Sequence, residues 1–219
     1  MTEQAADLDA TDGDLPASGV APPVVAVVVT HDAGPWLEEA LESLAAQDYP
    51  NLAVLVIDSA SAEDPTSRIA AVLPAAYVRR LSENVGFGPA ANEVLDVVEG
   101  ASHFVFLHDD VALEPETVRL LVEEGYRSNA GVVAPKLVVW DDPVRLLAVG
   151  MTADKTGVAT AFGRGELDQE QHDAVRDVFV APGGCQLVRA DLFATLGGFD
   201  HEMPMFGEDL DLSWRVQLA

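Results

Sequence analysis

Apolar and polar positions along this chain follow two alternating rhythms. Val24–Thr30 is an unbroken, mostly β-branched run, the pattern of a strand covered on both faces. Behind it Trp36, Leu37, Ala40, Leu41 and Leu44 recur at helical spacing, with Pro35 where a first turn tolerates it. Leu52–Ile57 repeats the strand pattern and Pro65–Leu73 the helical one. Ala76–Leu81 predicts a third strand, Pro89–Val98 a helix, and His103–Leu107 a fourth strand. Pro115–Tyr126 then predicts a helix and Val132–Val139 a fifth strand. Such alternation implies an α/β fold, a mainly parallel sheet with right-handed crossovers and helices on its faces.

After Trp140 the rhythm breaks. Glycine and aspartate become frequent, and 150–175 reads as an irregular excursion holding a hairpin. Arg176–Val180 and Gln186–Arg189 predict short strands, and Ala190–Leu196 a short helix. Leu210–Leu218 predicts an amphipathic helix whose buried stripe includes Leu212 and Trp214. No glycine or proline stop follows, so a domain over residues 22–219, truncated at its C-terminus, is expected. Residues 1–21 hold Glu3, Asp7, Asp9, Asp12 and Asp14 with no lysine or arginine, the composition of a disordered acidic tail.

Charge narrows the possible partners. A net charge of −25 over 219 residues argues against nucleic acid and against docking on anionic lipid through a basic patch. No apolar run is long enough for a membrane span and no signal peptide is visible, so a cytoplasmic protein is expected. It would reach the inner face of a membrane only through further parts or partners. The lone Cys185 rules out an internal disulfide and reads as a buried small hydrophobe. An acidic protein that bound a phosphate ester would need a cation.

Open parallel sheets bind ligands beyond the carboxyl ends of their strands, and here those ends are polar. The first strand ends in Thr30-His31-Asp32 and the second in Asp58-Ser59. The third leads into Ser82-Glu83-Asn84 and a Gly86-Phe87-Gly88 turn, and the fourth ends in His108-Asp109-Asp110. On a parallel sheet all four clusters share one rim. Each alone fits a turn or a cap; four in succession point to a ligand site. Adjacent unit charges about 4 Å apart cost roughly 4 kcal/mol at an effective dielectric near 20. A divalent cation would relieve this, since Mg2+ and Mn2+ take one or two carboxylates plus substrate phosphates. Solvated turn residues would account for Asp109 and Asp110 equally well from this motif alone.

Other motifs say less. The glycine pair follows the third strand and lacks the third glycine of a dinucleotide fingerprint, so a tight helix-opening turn explains it, although its amides could face a phosphate. No P-loop and no nucleophile–histidine grouping stands out, and His103, His172 and His201 have no ligand spacing. Glu208, Asp209 and Asp211 open the last helix, where acids also complement the helix dipole.

Taken together, the blocks resemble family 2 glycosyltransferases with the GT-A fold, of the inverting, rhamnosyltransferase-like kind. They are Val28–Asp32, Val56–Ser61, Asn84–Gly88 with Asn92, Phe106–Asp110, Gly197–Asp200 and Gly207–Arg215, in order from about Val24 onward. The resemblance implies that Thr30 and His31 lie along the nucleobase, Asp58 reads base or ribose, and Asn84 with Gly86 borders the nucleotide. It implies that Asp110 binds Mn2+ or Mg2+, with Asp109 beside it near metal or ribose. Gly183 and Gly184 would shape the donor–acceptor boundary. Asp209 matches the general base, with Glu208 next to it for the acceptor. The donor would be a nucleoside-diphosphate sugar and the acceptor a glycan or a lipid-linked glycan, in cell-wall or polysaccharide synthesis. His108 replaces the first residue of the family's D-x-D element, His31-Asp32 the commoner Tyr-Asn, and Ser59 the commoner Asn. A non-catalytic nucleotide-sugar or glycan-binding module is the alternative that these departures suggest.

Overall fold

The computed structural model describes residues 21–219, so residues 1–20 of the expected acidic tail lie outside the described residues. Its core is a six-stranded sheet whose strands run in the order β3 (Tyr77–Arg80), β2 (Leu52–Asp58), β1 (Val24–Thr30), β4 (His103–His108), β10 (Cys185–Arg189) and β5 (Val132–Val133). Strand β1 (Val24–Thr30) lies at the middle, parallel to both β2 (Leu52–Asp58) and β4 (His103–His108). All seven β1 residues are buried, as expected of a strand apolar up to its closing Thr30 and covered by helices on both faces. Strand β3 (Tyr77–Arg80) pairs parallel with β2 and closes that edge.

Alternate residues of the strands feed two cores. Val24, Ala26 and Val28 meet α1 (Leu37–Ala45), α2 (Thr66–Val72) and α5 (Thr117–Ser128) through Leu41, Ile69 and Val118. Val25, Val27 and Val29 face an aromatic core of Phe87, Phe104, Phe106, Phe193 and Phe199. That side carries α3 (Phe87–Ala91), α4 (Val94–Val97), α6 (Ala190–Leu196) and α7 (Glu208–Leu218). Full burial of each such aliphatic or aromatic side chain contributes about 1.5–3 kcal/mol.

The structure departs from the sequence expectation in four places. The expected Pro89–Val98 helix is two short ones, starting at Phe87 and breaking at Asn92-Glu93. There the backbone tightens to three-residue bonds, and the Asn92 side chain both donates to and accepts from Phe199 backbone at 2.8 Å. The expected fifth strand splits at Ala134-Pro135-Lys136, since proline has no ladder donor. Its first part, β5 (Val132–Val133), pairs antiparallel with β10 (Cys185–Arg189), itself antiparallel to β4. Its second part, β6 (Leu137–Val139), joins β7 (Asp142–Ala148) in a separate hairpin. A further hairpin, β8 (Met151–Ala153) with β9 (Ala159–Ala161), occupies the expected excursion. Arg176–Val180 forms no strand and keeps only a single bridge from Val180 to Met151. Trp214, expected in a buried stripe, is 49% exposed, whereas Leu212 is fully buried.

No helix among the described residues is long and apolar enough to cross a membrane.

Candidate active site

Strand order reverses between β1 and β4, and the carboxyl ends of these two strands frame the crevice where such sheets bind ligands. Thr30 ends β1 and Asp109 follows β4, and the Thr30 hydroxyl donates to Asp109 Oδ2 at 2.5 Å across the switch point. Parallel register sets Thr30 beside Asp58, and Asp58 beside Arg80. The polar clusters of the sequence therefore do share one rim.

Two loops clasp each other at the β1/β2 end of that rim. Asp32 and Ala60 both take left-handed φ, 49° and 58°. The Asp32 amide donates to Ser61 Oγ at 2.8 Å, and Asp32 Oδ1 accepts from the Ala62 amide at 2.8 Å. His31 Nδ1 lies 2.8 Å from the Ser59 carbonyl, which can only accept, so Nδ1 carries the proton and the ring is held with much of its surface open. Ser59 Oγ donates to Asn84 Oδ1 at 3.2 Å and accepts from the Val85 amide at 3.1 Å, tying the third loop to the second.

Asp58 is fully buried. Its Oδ1 accepts from the Ser61 hydroxyl at 2.5 Å and the Ser61 amide at 3.0 Å, and its Oδ2 accepts from Arg80 Nε at 2.6 Å. Arg80 also reaches the Ser61 carbonyl at 2.7 Å. In this geometry the carboxylate shapes the clasp from behind. Arg80 was not singled out in the sequence; an arginine ending β3 in register with the acid ending β2 was the available signal.

Two amides of the glycine turn are taken up within the fold. The Gly86 amide donates to Asn84 Oδ1 at 2.9 Å, and the Gly88 amide to the Pro204 carbonyl at 3.4 Å. Gly86 has φ +83°, and a Cβ there would stand 2.2 Å from the Pro204 oxygen. The turn therefore supports the 203–206 loop through the Gly86 and Gly88 positions.

At the acid end, burial and then the Asp110 charge push the Asp109 carboxyl above its usual range, against the opposing Thr30 bond. Asp110 beside it is exposed. Among the described residues no third His, Cys, Asp or Glu completes a metal cage. Two hard carboxylates on an open rim, one of them destabilised by burial and a like charge, fit a divalent ion whose remaining ligands are substrate oxygens and water. His108 packs against Phe87 with ring centroids 4.5 Å apart, and its buried Nε2 has no partner. Burial lowers its pKa against the pull of Asp110, Asp109 and Asp209.

Because β10 runs against β4, its N-terminal end lies at the same rim and brings Gly183-Gly184 beside His108. The His108 amide donates to the Gly184 carbonyl at 3.3 Å. The Gly183 amide donates to Asp209 Oδ2 at 3.0 Å, and the Leu210 amide to Asp209 Oδ1 at 2.7 Å. Asp209 thus faces the crevice from the first turn of α7, held by two amides. Glu208 turns inward against Gly88; burial, with the Asp209 charge adding, raises its pKa, and its Oε2 has no partner. Cys185 is wholly buried and its thiol is pushed up to about 12, the inert hydrophobe expected.

A family model described as "Glycosyl transferase family 2" matches residues 25–197. The N-acetylglucosaminyl-diphospho-decaprenol L-rhamnosyltransferase of Mycobacterium tuberculosis is 28% identical over 222 residues, covering 90% of this chain and 70% of that protein. The mannosyltransferase PcManGT from Pyrobaculum calidifontis, solved in complex with GDP-Man and Mn2+, matches with TM-score 0.63 and 21% identity over 89% of this chain and 51% of its own. S. aureus TarS 1-349 in complex with UDP-GlcNAc matches with TM-score 0.62 and 20% identity, over 90% and 53%. This chain spans about half the length of each of those solved chains. At such identity the likeness is one of fold, and that fold is the GT-A sheet that the ordered sequence blocks implied.

Proposed function

This chain belongs to glycosyl transferase family 2, and on that premise we propose that it is an inverting enzyme moving a sugar from a nucleoside-diphosphate donor to an acceptor hydroxyl. One observation carries the reading. The acid pair at the β1/β4 switch point and Asp209 stand on the same rim, joined through His108, Gly184 and Gly183. A charge-neutralising end and a proton-accepting end therefore flank one crevice.

On this reading Thr30 and the His31 ring line the nucleobase, and the Asp58–Arg80–Ser61 clasp holds that wall in place. Asn84 and the Gly86 turn border the nucleotide, and Gly184 marks the boundary toward the acceptor. Asp110, with Asp109, would hold Mn2+ or Mg2+, which when bound supplies positive charge to the departing diphosphate. Asp209 takes the proton from the acceptor hydroxyl as that oxygen attacks the anomeric carbon from the face opposite the diphosphate. A single displacement inverts the anomeric centre. Glu208, buried behind Asp209, sets the acceptor side of the pocket.

The rhamnosyltransferase relative is named for an acceptor carried on diphospho-decaprenol, which supports a lipid-linked glycan acceptor here; a cytoplasmic enzyme working at a membrane face is part of the same proposal. The test is a thermal-shift screen of nucleoside diphosphates and their sugars with Mn2+, followed by turnover of those that bind. Stabilisation by one donor and slow release of its sugar to water are expected. A donor that binds without hydrolysis or transfer would favour the non-catalytic module instead, for which the replaced residue at His108 is the motivating observation.

A further inference from the structure

Immediately before the helix that carries Asp209, three apolar side chains stand in solvent. Met203, Met205 and Phe206 are 38%, 54% and 85% exposed. Phe206 also has φ +64°, a left-handed conformation that a bulky residue adopts only under strain. Burial does not offset that strain, and asparagine or glycine would fit the turn better. Further apolar surface lies on α7, where half-buried Leu210 and exposed Trp214 stand one turn apart on the same face. Phe179 packs edge-on against Trp214, with ring centroids 5.5 Å apart. The lip is also fixed to the donor side, because the Pro204 carbonyl accepts the Gly88 amide and leaves no room for a Cβ on Gly86.

We propose that this strip holds the isoprenoid segment of a polyprenyl-diphosphate-linked acceptor, with Phe206 as its principal contact; the proposal rests on the transferase reading above. The chemistry of the lip selects hydrocarbon over sugar. From Met203 to Phe206 no side chain offers a strong hydrogen-bond donor or acceptor, so sugar hydroxyls would go unread there. Thioethers adapt to an irregular chain. Position favours the same ligand: the lip directly precedes the first turn of α7, where Asp209 stands, and so adjoins the place an acceptor hydroxyl would reach. Leu210 and Trp214 lie one helical turn apart, roughly 6 Å along α7, beyond the lip. The related rhamnosyltransferase is named for an acceptor of this chemistry.

The experiment compares binding of farnesyl diphosphate and of inorganic pyrophosphate to the full chain and to Phe206→Asn and Trp214→Gln. The wild type is expected to prefer the prenyl compound, and each variant to lose that preference by about tenfold or more. Pyrophosphate binding stays unchanged, and Phe206→Asn does not lower the melting temperature, since asparagine tolerates the left-handed turn. Equal prenyl binding in wild type and variants, or no prenyl preference at all, would overturn the proposal. So would a wild-type dimer that Phe206→Asn dissolves, because the strip would then be an interface between two copies. Nucleoside diphosphate binding is measured on the same samples; its failure would count against the transferase reading, and its persistence without a prenyl preference would count against this strip alone.

Discussion

The Gly183 amide and Asp209 Oδ2 are 3.0 Å apart, and a Cβ added to Gly183 would stand 3.2 Å from the Asp209 Cβ. The glycine both orients the proposed base and leaves it room. Asp209→Asn is expected to bind donor as the wild type does while transfer falls by about 10²–10⁴-fold, the usual contribution of a positioned general base. Gly183→Ala is expected to lower kcat through displacement of Asp209, with donor affinity kept. Steady-state kinetics beside nucleotide titrations check both. A fully active Asp209→Asn enzyme would remove Asp209 from the base position.

Asp109 gives a pH-dependent prediction. Burial raises its folded pKa above the unfolded value. Its favourable contribution is therefore complete below the unfolded pKa and is lost as pH rises through the folded one, because the folded state ionises last. Metal-free Asp109→Asn should melt close to wild type in acid and increasingly above it toward neutral pH, by about 2–4 °C for each kcal/mol relieved. Mn2+ should stabilise the wild type at neutral pH and leave Asp109→Asn little changed. Melting curves across pH, with and without Mn2+, decide this; a variant less stable than wild type at neutral pH would show that Asp109 is not under repulsive load.

Arg80 holds a wholly buried carboxylate while itself part-exposed. Arg80→Ala leaves Asp58 without its ion-pair partner. Removing the partner of a buried carboxylate destabilises the fold, by less than for a fully buried pair because solvent reaches the Arg80 side. Denaturant unfolding should show this loss together with weaker nucleotide binding, as the Ser61–Asp32 clasp loosens. Unchanged nucleotide affinity would mean that the clasp does not shape the base pocket.

Much of this architecture was legible in the residues. The β-branched runs at Val24 and Leu52 and the helical spacing at Leu37–Leu44 found their elements because both faces of the sheet are covered. The rim followed from parallel pairing alone. Periodicity could not register what long-range hydrogen bonds decide: Asn92 breaks a helix by bonding Phe199, 107 residues away. Nor could it see that Pro135 divides one apolar run between two sheets. Among site residues, Thr30 and Asp109 were legible from strand ends, but the burial of Asp58 depends on Arg80 of another strand. The closure of the glycine turn depends on Pro204, more than a hundred positions on. Trp214 misled because an aromatic in a helix usually marks a core-facing position, and here the core is filled by Leu212 and Phe199.

The Asn92 contact also bears on stability. Asn92→Ala removes two buried bonds to Phe199 backbone, each worth about 0.5–1.5 kcal/mol, and leaves that amide and carbonyl unpaired. A total loss of roughly 2–4 kcal/mol is expected by chemical denaturation. A loss under about 0.5 kcal/mol would show that the Gly198–Phe199 turn does not depend on it.

Calorimetric titration of uridine and thymidine diphosphates into the wild type and Asp110→Ala, each with Mn2+ and with chelator, tests the central claim most directly. Tight binding of one nucleotide by the wild type only when Mn2+ is present, lost in Asp110→Ala, is the predicted result. Equal affinity with chelator and with Mn2+, or an Asp110→Ala chain that still needs the metal and binds as well, would contradict it.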